Sequence, residues 1–214
     1  MRENFVPYLL LLTCVSVFVS ACGDSLDPET PEGALNNFAR ALTSADEQAV
    51  YAHLSAPSKQ SLSDLSALSN LLNDKIKALP LEAQAWAKSN AMPAWMVDQR
   101  ALSGVNLFSL MSNEASAQIK RLPADQVEQS FRTTRVISES GDGQIVRLKT
   151  RALPQVIMRK EGARWSVASF EEPLAQAVAT TQNNIKALKQ SQVELERRVK
   201  LNLPMPTAFQ APDQ

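Results

Sequence analysis

The chain is poor in the residues from which most catalytic and cofactor sites are built. Its 214 residues include one His, two Cys and six Gly. The chain therefore has almost none of the residues needed for a Cys-His pair or a multi-His metal site, and a Gly-rich phosphate loop is not expected. His53 precedes Leu54 and is expected to lie near a helix end rather than to act as a general base. We therefore predict a protein that is not an enzyme and that holds no metal and no cofactor.

The chain also lacks an excess of charge of either sign. Lys and Arg total 22, and Asp and Glu total 22, so the formal net charge is zero. Such a balance offers no electrostatic basis for nucleic-acid binding, and no nucleic-acid partner is predicted. The length suffices for one sizeable domain or two small ones.

Long apolar runs are missing everywhere except near the N-terminus. Residues 8–19 are apolar or nearly so, but twelve residues are fewer than the roughly 20 that cross a bilayer. The run has the length of a secretion-signal core, and the small residues Ser20 and Ala21 after it suit a signal peptidase. A membrane span, an ordinary secretion signal and a lipid attachment point are the three alternatives for this segment.

The run ends in Val19-Ser20-Ala21-Cys22, which resembles the lipobox of bacterial lipoproteins. In that family the Cys sulfur receives a diacylglycerol, the chain is cut just before the Cys, and the new amine is usually acylated. The resemblance implies lipidation at Cys22, a membrane anchor of N-terminal acyl chains, and a location in the cell envelope. By the enteric sorting rule of the family, Gly23 in place of Asp favours the outer membrane, facing the periplasm, over the inner membrane.

Cysteine usage after such processing excludes a disulfide within the chain. Cys14 would leave with the signal segment, and Cys22 would carry lipid. The mature chain would then have no second thiol to pair, so it must fold on its apolar core alone.

Helix signals dominate the first half of the chain. Thr30 is expected to cap a helix that begins at Pro31, and Ser44 with Glu47 forms a capping-box pattern for a second helix. A third helix is predicted to end before Pro80. Its apolar stripe comprises Leu65, Leu68, Leu72, Ile76 and Leu79.

Strand signals follow residue 126. Four short strands are predicted over residues 133–138, 145–151, 155–160 and 164–170, with Gly-containing turns after the first and the third. Helices followed by an antiparallel meander indicate an α+β fold. We predict N-terminal helices packed on a small curved antiparallel sheet, followed by a long C-terminal helix.

The predicted organisation has five parts. They are a lipoprotein signal peptide (1–21), a tether (22–29), an α+β domain (30–170), a long helix (171–201) and a flexible tail (202–214).

Two segments of the α+β region resemble bacterial lipoproteins with a nuclear-transport-factor-like, or cystatin-like, cone. Residues 30–57 are similar to the helical opening of these proteins, and residues 133–170 to their last strands, ending in "VIMRKEGARWSVASFE". The helical residues that carry the similarity are Thr30-Pro31-Glu32, Ala34, Phe38, Ala41-Leu42, Asp46, Ala49, Tyr51 and Leu54-Ser55. Since family members include scaffolds, small-molecule binders and enzymes, a ligand-binding or hydrolytic cone is the alternative function.

The C-terminal helix carries an apolar stripe of four heptads. Val178, Ile185, Gln192 and Val199 take the a positions, and Leu174, Thr181, Leu188 and Leu195 take the d positions. Packing within the chain is favoured, and pairing with a second copy or another partner is the alternative. The candidate partner-binding residues are Leu174, Val178, Ile185, Leu188, Leu195 and Val199.

Three basic residues alternate along the second predicted strand. Arg147, Lys149 and Arg151 are expected to point to one side, with Val146 and Leu148 on the other. The solvated face of a half-buried strand is the favoured interpretation, and a basic stripe that meets anionic lipid, glycan or protein is the functional one.

Together these patterns predict a lipid-anchored, non-catalytic protein of the cell envelope. It would act as a binding or assembly module with a protein partner in the envelope.

Overall fold

A computed structural model of the chain describes residues 27–44, 46–92, 103–111 and 122–206. Contacts divide the chain into two units, each built from two separate segments. The sheet unit, in its described part, comprises residues 27–55 without residue 45, and residues 122–169. The helical unit comprises residues 56–92, 103–111 and 170–206. This division differs from the sequence-based one, because the segment after Ser55 belongs with the C-terminal helix rather than with the strands.

The described residues of the sheet unit form three helices and four strands. The helices are α1 (Pro31–Thr43), α2 (Glu47–Ala52) and, later in the chain, α6 (Ala124–Phe131). The strands are β1 (Thr133–Glu139), β2 (Ile145–Thr150), β3 (Val156–Glu161) and β4 (Arg164–Val167). They pair antiparallel in the order β1-β2-β3-β4.

The first two helices begin at side-chain caps. The Thr30 hydroxyl accepts from the Gly33 N–H at 3.1 Å, and Pro31 opens α1, as predicted. The predicted capping box is wrong, because Asp46 rather than Ser44 caps α2 through the Ala49 N–H at 2.9 Å. Ser44 instead ends α1, and its hydroxyl donates to the Ala41 carbonyl.

Strand alternation separates the two faces of the sheet. The inner face carries apolar side chains that are buried, among them Val146, Leu148, Met158 and Val167. Helix α1 buries its own apolar side chains, packs against β4, and meets α6 through the edge-to-face pair of Phe38 and Phe131 at 6.1 Å. The predicted α+β fold is confirmed: helices accompany a curved four-stranded antiparallel sheet, and a long C-terminal helix follows.

The two edges of the sheet are protected in different ways. At β4 the backbone N–H of Trp165 donates to the Pro28 carbonyl at 3.0 Å, and Leu54 forms a parallel bridge with Val167. At β1 the pairing with β2 is interrupted at two places, after Thr133 and after Val136. Bulges of this kind discourage pairing with another strand.

The start of the described chain is held to the sheet unit by a local turn. The Asp27 carboxylate accepts from the Glu29 N–H at 2.9 Å, and its carbonyl accepts from the Thr30 N–H. A Cβ at Gly33 would overlap the Asp27 carbonyl, so a side chain there would displace the turn. Residues 27–29 of the predicted tether (22–29) therefore belong to the fold, and residues 22–26 lie outside the described residues.

Four helices lie in the described part of the helical unit. They are α3 (Ala56–Lys77), α4 (Leu81–Ala91), α5 (Gly104–Met111) and α7 (Glu171–Lys200). Helix α7 begins at Glu171, where the predicted long helix begins, and Phe170 just before it packs edge-to-face on Phe108 at 5.2 Å. Pro80 separates α3 from α4, as expected for a residue that cannot continue a helix.

The apolar stripe of α7 packs within this unit. Leu188 and Leu195 are buried in a cluster with residues of α3 and α4, and Ile185 and Val199 pack at its margin. The d positions are buried, whereas the a positions are only half-buried. A two-stranded coil would bury both sets, so the stripe is that of one helix packed against α3 and α4.

The segment after α7 folds back on the unit. Asn202 adopts a positive φ of 52°, and the Leu203 N–H donates to the Arg198 carbonyl at 2.9 Å, a helix-ending motif in which Asn substitutes for Gly. The Trp86 indole N–H then donates to the Pro206 carbonyl at 2.6 Å. Met205 and Pro206, which belong to the predicted flexible tail of residues 202–214, are thus half-buried on this unit, and residues 207–214 lie outside the described residues.

The buried stripe predicts unequal effects of two substitutions on α7. Leu195 is fully buried, so Leu195→Ala should lower the free energy of unfolding by about 2–5 kcal/mol. Val193 is 74% exposed on the same helix, and Val193→Ala should change it by no more than about 0.5 kcal/mol. Urea denaturation followed by circular dichroism measures both, and equal effects would contradict the packing described.

Candidate functional site

The outer face of the sheet concentrates positive charge. Strand register places five cationic side chains on this face, with at least one from each strand. They are Arg135 on β1, Arg147 and Lys149 on β2, Arg159 on β3 and Arg164 on β4. Because the whole chain has no net charge, this face is a local excess of positive charge rather than a general property.

The period of two in β2 causes this arrangement. Val146, Leu148 and Thr150 are buried, and the intervening Arg147 and Lys149 are exposed. The alternation predicted for Val146 to Lys149 is therefore confirmed. Arg151 follows the end of β2 in a bend, where its N–H donates to the Arg132 carbonyl, so it is not part of the strand as predicted.

Cross-strand pairing brings like charges together on this face. Arg135 lies directly opposite Lys149, and Arg147 lies opposite Ser138, whose hydroxyl accepts from the Arg147 guanidinium at 3.4 Å. Side chains directly opposite each other have Cβ atoms about 5 Å apart, and a pair of like-charged side chains in such positions destabilises the strand pairing. The free protein therefore carries an electrostatic cost on this face that an anion would relieve.

Two carboxylates partly offset the five cations. Glu161 lies on the outer face opposite Arg164 and accepts from the Ser166 hydroxyl at 3.1 Å. Asp142 lies in the turn between β1 and β2, where the Ser140 hydroxyl donates to its Oδ1 atom at 2.5 Å and the Gln144 N–H donates to the same atom. These two hydrogen bonds, and the charge of Arg159, lower the pKa of Asp142.

Sequence reasoning missed three of the five cations. Arg135 and Arg164 are the only basic residues of their strands, and Arg159 is followed directly by Lys160, so no alternation of basic residues marks any of the three. They join Arg147 and Lys149 only through register, which in β1 depends on two irregularities. The available signal was that every predicted strand contains at least one basic residue, but such a residue can be assigned to a face only when the strand register is known.

A second feature of the sheet unit is a polar cavity of about 200 Å³ at the junction of α1 and α6. Arg40 and Glu128 line it and form an exposed ion pair with a 3.9 Å separation. The cavity lies between helices and not inside the sheet, whose inner face is filled by buried apolar side chains. The alternative of a ligand-binding cone therefore stays a prediction without a specific observation that favours it.

The remaining candidate residues have structural positions or lie outside the described chain. His53 ends α2, and its carbonyl accepts from the Val167 N–H at 2.9 Å. Leu174, Leu188 and Leu195 are buried, and Val178, Ile185 and Val199 are half-buried. A partner of the helical unit would therefore need another surface. The lipobox residues Val19, Ser20, Ala21 and Cys22 lie outside the described residues.

The described residues contain neither a candidate metal site nor a candidate membrane-spanning helix. No group of three or more His, Cys, Asp or Glu side chains within them could hold a metal ion. None of the helices in this part of the chain is long and apolar enough to cross a membrane.

Comparison with known proteins assigned no family. No family model, no curated protein and no solved structure matches the chain. The resemblances to the lipobox and to the nuclear-transport-factor-like cone therefore stay predictions.

The turn beside the basic face allows a test of its hydrogen bonds by titration. We expect the pKa of Asp142, measured by NMR, to lie below its ordinary value of 3.8 and to rise in Ser140→Ala, which removes the strongest hydrogen bond. Because the folded-state pKa is lowered, the stabilisation is present above the unfolded-state pKa and is lost as pH falls through the folded-state pKa.

The matched control for this titration is Gln144→Ala. It keeps the backbone N–H that donates to Asp142, so the pKa of Asp142 should stay low. Identical midpoints in the wild-type protein and Ser140→Ala would show that the Ser140 hydroxyl does not act on Asp142.

Proposed function

We propose that this protein is a lipid-anchored, non-catalytic cell-envelope protein that acts as a binding or assembly module. The observation that carries the proposal is the stretch Val19-Ser20-Ala21-Cys22 at the end of the N-terminal apolar run. Four features agree there: the length of the run, the aliphatic Val19, two small residues and the Cys. A membrane-spanning segment would need about eight more apolar residues.

Acylation of Cys22 would attach the protein stably to one membrane. A single acyl chain holds a protein only marginally, whereas two or more chains add about 0.8 kcal/mol for each buried methylene. The sorting rule of the family, applied to Gly23, supports the outer membrane, with the folded units in the periplasm.

A binding role is supported by the outer face of the sheet. Its five cations include an adjacent like-charged pair, Arg135 and Lys149, that costs stability without an anionic partner. Stability alone does not favour such a pair, whereas recognition of a negatively charged surface does. The envelope supplies both anionic lipids and proteins as partners of this chemistry.

The anchor is tested by metabolic labelling with palmitate in cells that express the full chain. We expect the wild-type protein to incorporate label and Cys22→Ala to incorporate none, because Cys22 supplies both the sulfur and the new amine. The matched control is Cys14→Ala, which alters the only other Cys and should keep the label. Label retained in Cys22→Ala, or lost in Cys14→Ala, would overturn the proposed anchor.

A further inference from the structure

The entry point of the N-terminal segment is fixed relative to the basic face. Pro28 lies beside β4, where its carbonyl accepts from the Trp165 N–H at 3.0 Å. Trp165 follows Arg164 directly, and Arg164 belongs to the outer face. The chain that leads back to Cys22 therefore leaves the sheet unit at the edge of the basic face.

The distance between this edge and Cys22 is short. Five residue steps separate Cys22 from Asp27, and a fully extended chain of that length spans about 18 Å. Four strands about 4.8 Å apart make the sheet about 14 Å wide from β1 to β4. The reach of the connecting segment thus matches the width of the face, so an anchor at Cys22 would allow all five cations to contact one membrane surface.

We infer that the outer face of the sheet docks on the anionic phospholipid headgroups of the membrane that carries the acylated Cys22. This inference rests on the proposed lipid anchor and adds an orientation to it. Arg135, Arg147, Lys149, Arg159 and Arg164 would meet lipid phosphates. The inner face, α1 and α6 would be turned away from the membrane.

A membrane surface fits this face better than a protein does, for reasons of shape and charge. The cations are spread over four strands and are not gathered in a pocket, and Ile145 and Ile157 lie half-buried among them. Laterally mobile anionic headgroups can distribute themselves under such a spread, and each basic residue near the surface contributes to the attraction. The anchor also places this surface next to the face without a further recognition step.

The orientation can be measured with a probe on the outer face. Since Cys22 would be blocked by lipid and Cys14 removed, a Cys introduced by Ser138→Cys would be the only free thiol. The purified acylated protein is labelled there with a fluorophore. It is then reconstituted into vesicles whose headgroups carry a quencher, either with one-third phosphatidylglycerol or with phosphatidylcholine alone. Gln129→Cys, exposed on α6, is the matched control position.

We expect strong quenching at position 138 in the phosphatidylglycerol vesicles only, and at position 129 no dependence on the anionic lipid. Arg135→Gln, Arg147→Gln and Lys149→Gln are then introduced together into the Ser138→Cys protein. Each lost cation should lower the ratio of docked to undocked protein roughly fivefold, so the three together should lower it on the order of a hundredfold. Lys77→Gln, Lys186→Gln and Lys189→Gln remove equal charge from exposed positions of the helical unit and should leave quenching unchanged.

A salt series on the otherwise unaltered chain gives a second measurement that does not depend on the folding of the triple variant. At about 1 M salt the screening length falls to about 3 Å, so quenching at position 138 should be lost while the protein stays with the vesicles. Quenching at position 138 that changes with neither lipid charge nor salt would overturn the docked orientation. A face that binds a protein partner instead would also show no dependence of quenching on lipid charge, and this result would overturn the inference too.

The same preparation separates failure of this inference from failure of the anchor. Protein that floats with the vesicles but shows no charge-dependent quenching refutes the docked orientation alone. Protein that carries no palmitate and does not float refutes the anchor itself.

Discussion

Burial of alternate residues in β2 is the constraint on which the sheet unit depends. Val146 and Leu148 complete the inner face, so Arg147 and Lys149 can only point outward. A register slip of one residue would exchange the two sets and bury two charges, which is far more costly than the exposed arrangement. The core therefore holds the cations on the outer face. Burial of the apolar side chains on the inner face offsets the unfavourable pairing of Arg135 with Lys149.

In the helical unit the buried positions follow the period of a helix, and some of them carry hydroxyl groups. The buried positions of α3 recur every three or four residues and include Ser69, and those of α7 recur mostly every seven residues and include Thr181. Each hydroxyl donates to the carbonyl four residues earlier in its own helix, Ser69 to Leu65 and Thr181 to Ala177. These buried polar groups are thus satisfied without a partner from another helix, which allows close packing of the two.

The sequence was enough to predict those elements that are specified by a few neighbouring residues. Thr30 with Pro31, the alternation of β2 and the break at Pro80 were all readable, because caps, strand period and proline act over a few residues. Where two local signals competed, the outcome was missed, as when Asp46 rather than Ser44 capped α2. That Arg135, Arg159 and Arg164 share one face depends on strand register. That Pro206 is held against the helical unit depends on a hydrogen bond from Trp86, which is distant in sequence. Neither these contacts nor the alternation of the two units along the chain produces a residue pattern within a short stretch of sequence.

The turn at Asp27 bears on more than the start of the fold. Because the turn holds residues 27–29 in the sheet unit, only four residues, 23–26, would separate the described fold from the proposed anchor at Cys22. A connection of that length would give the sheet unit an effective concentration at the bilayer in the millimolar range. Surface attractions too weak to recruit a free protein would then suffice to orient an anchored one. A side chain at Gly33 would displace the Asp27 carbonyl, and it would thereby lengthen the connection and weaken this effect.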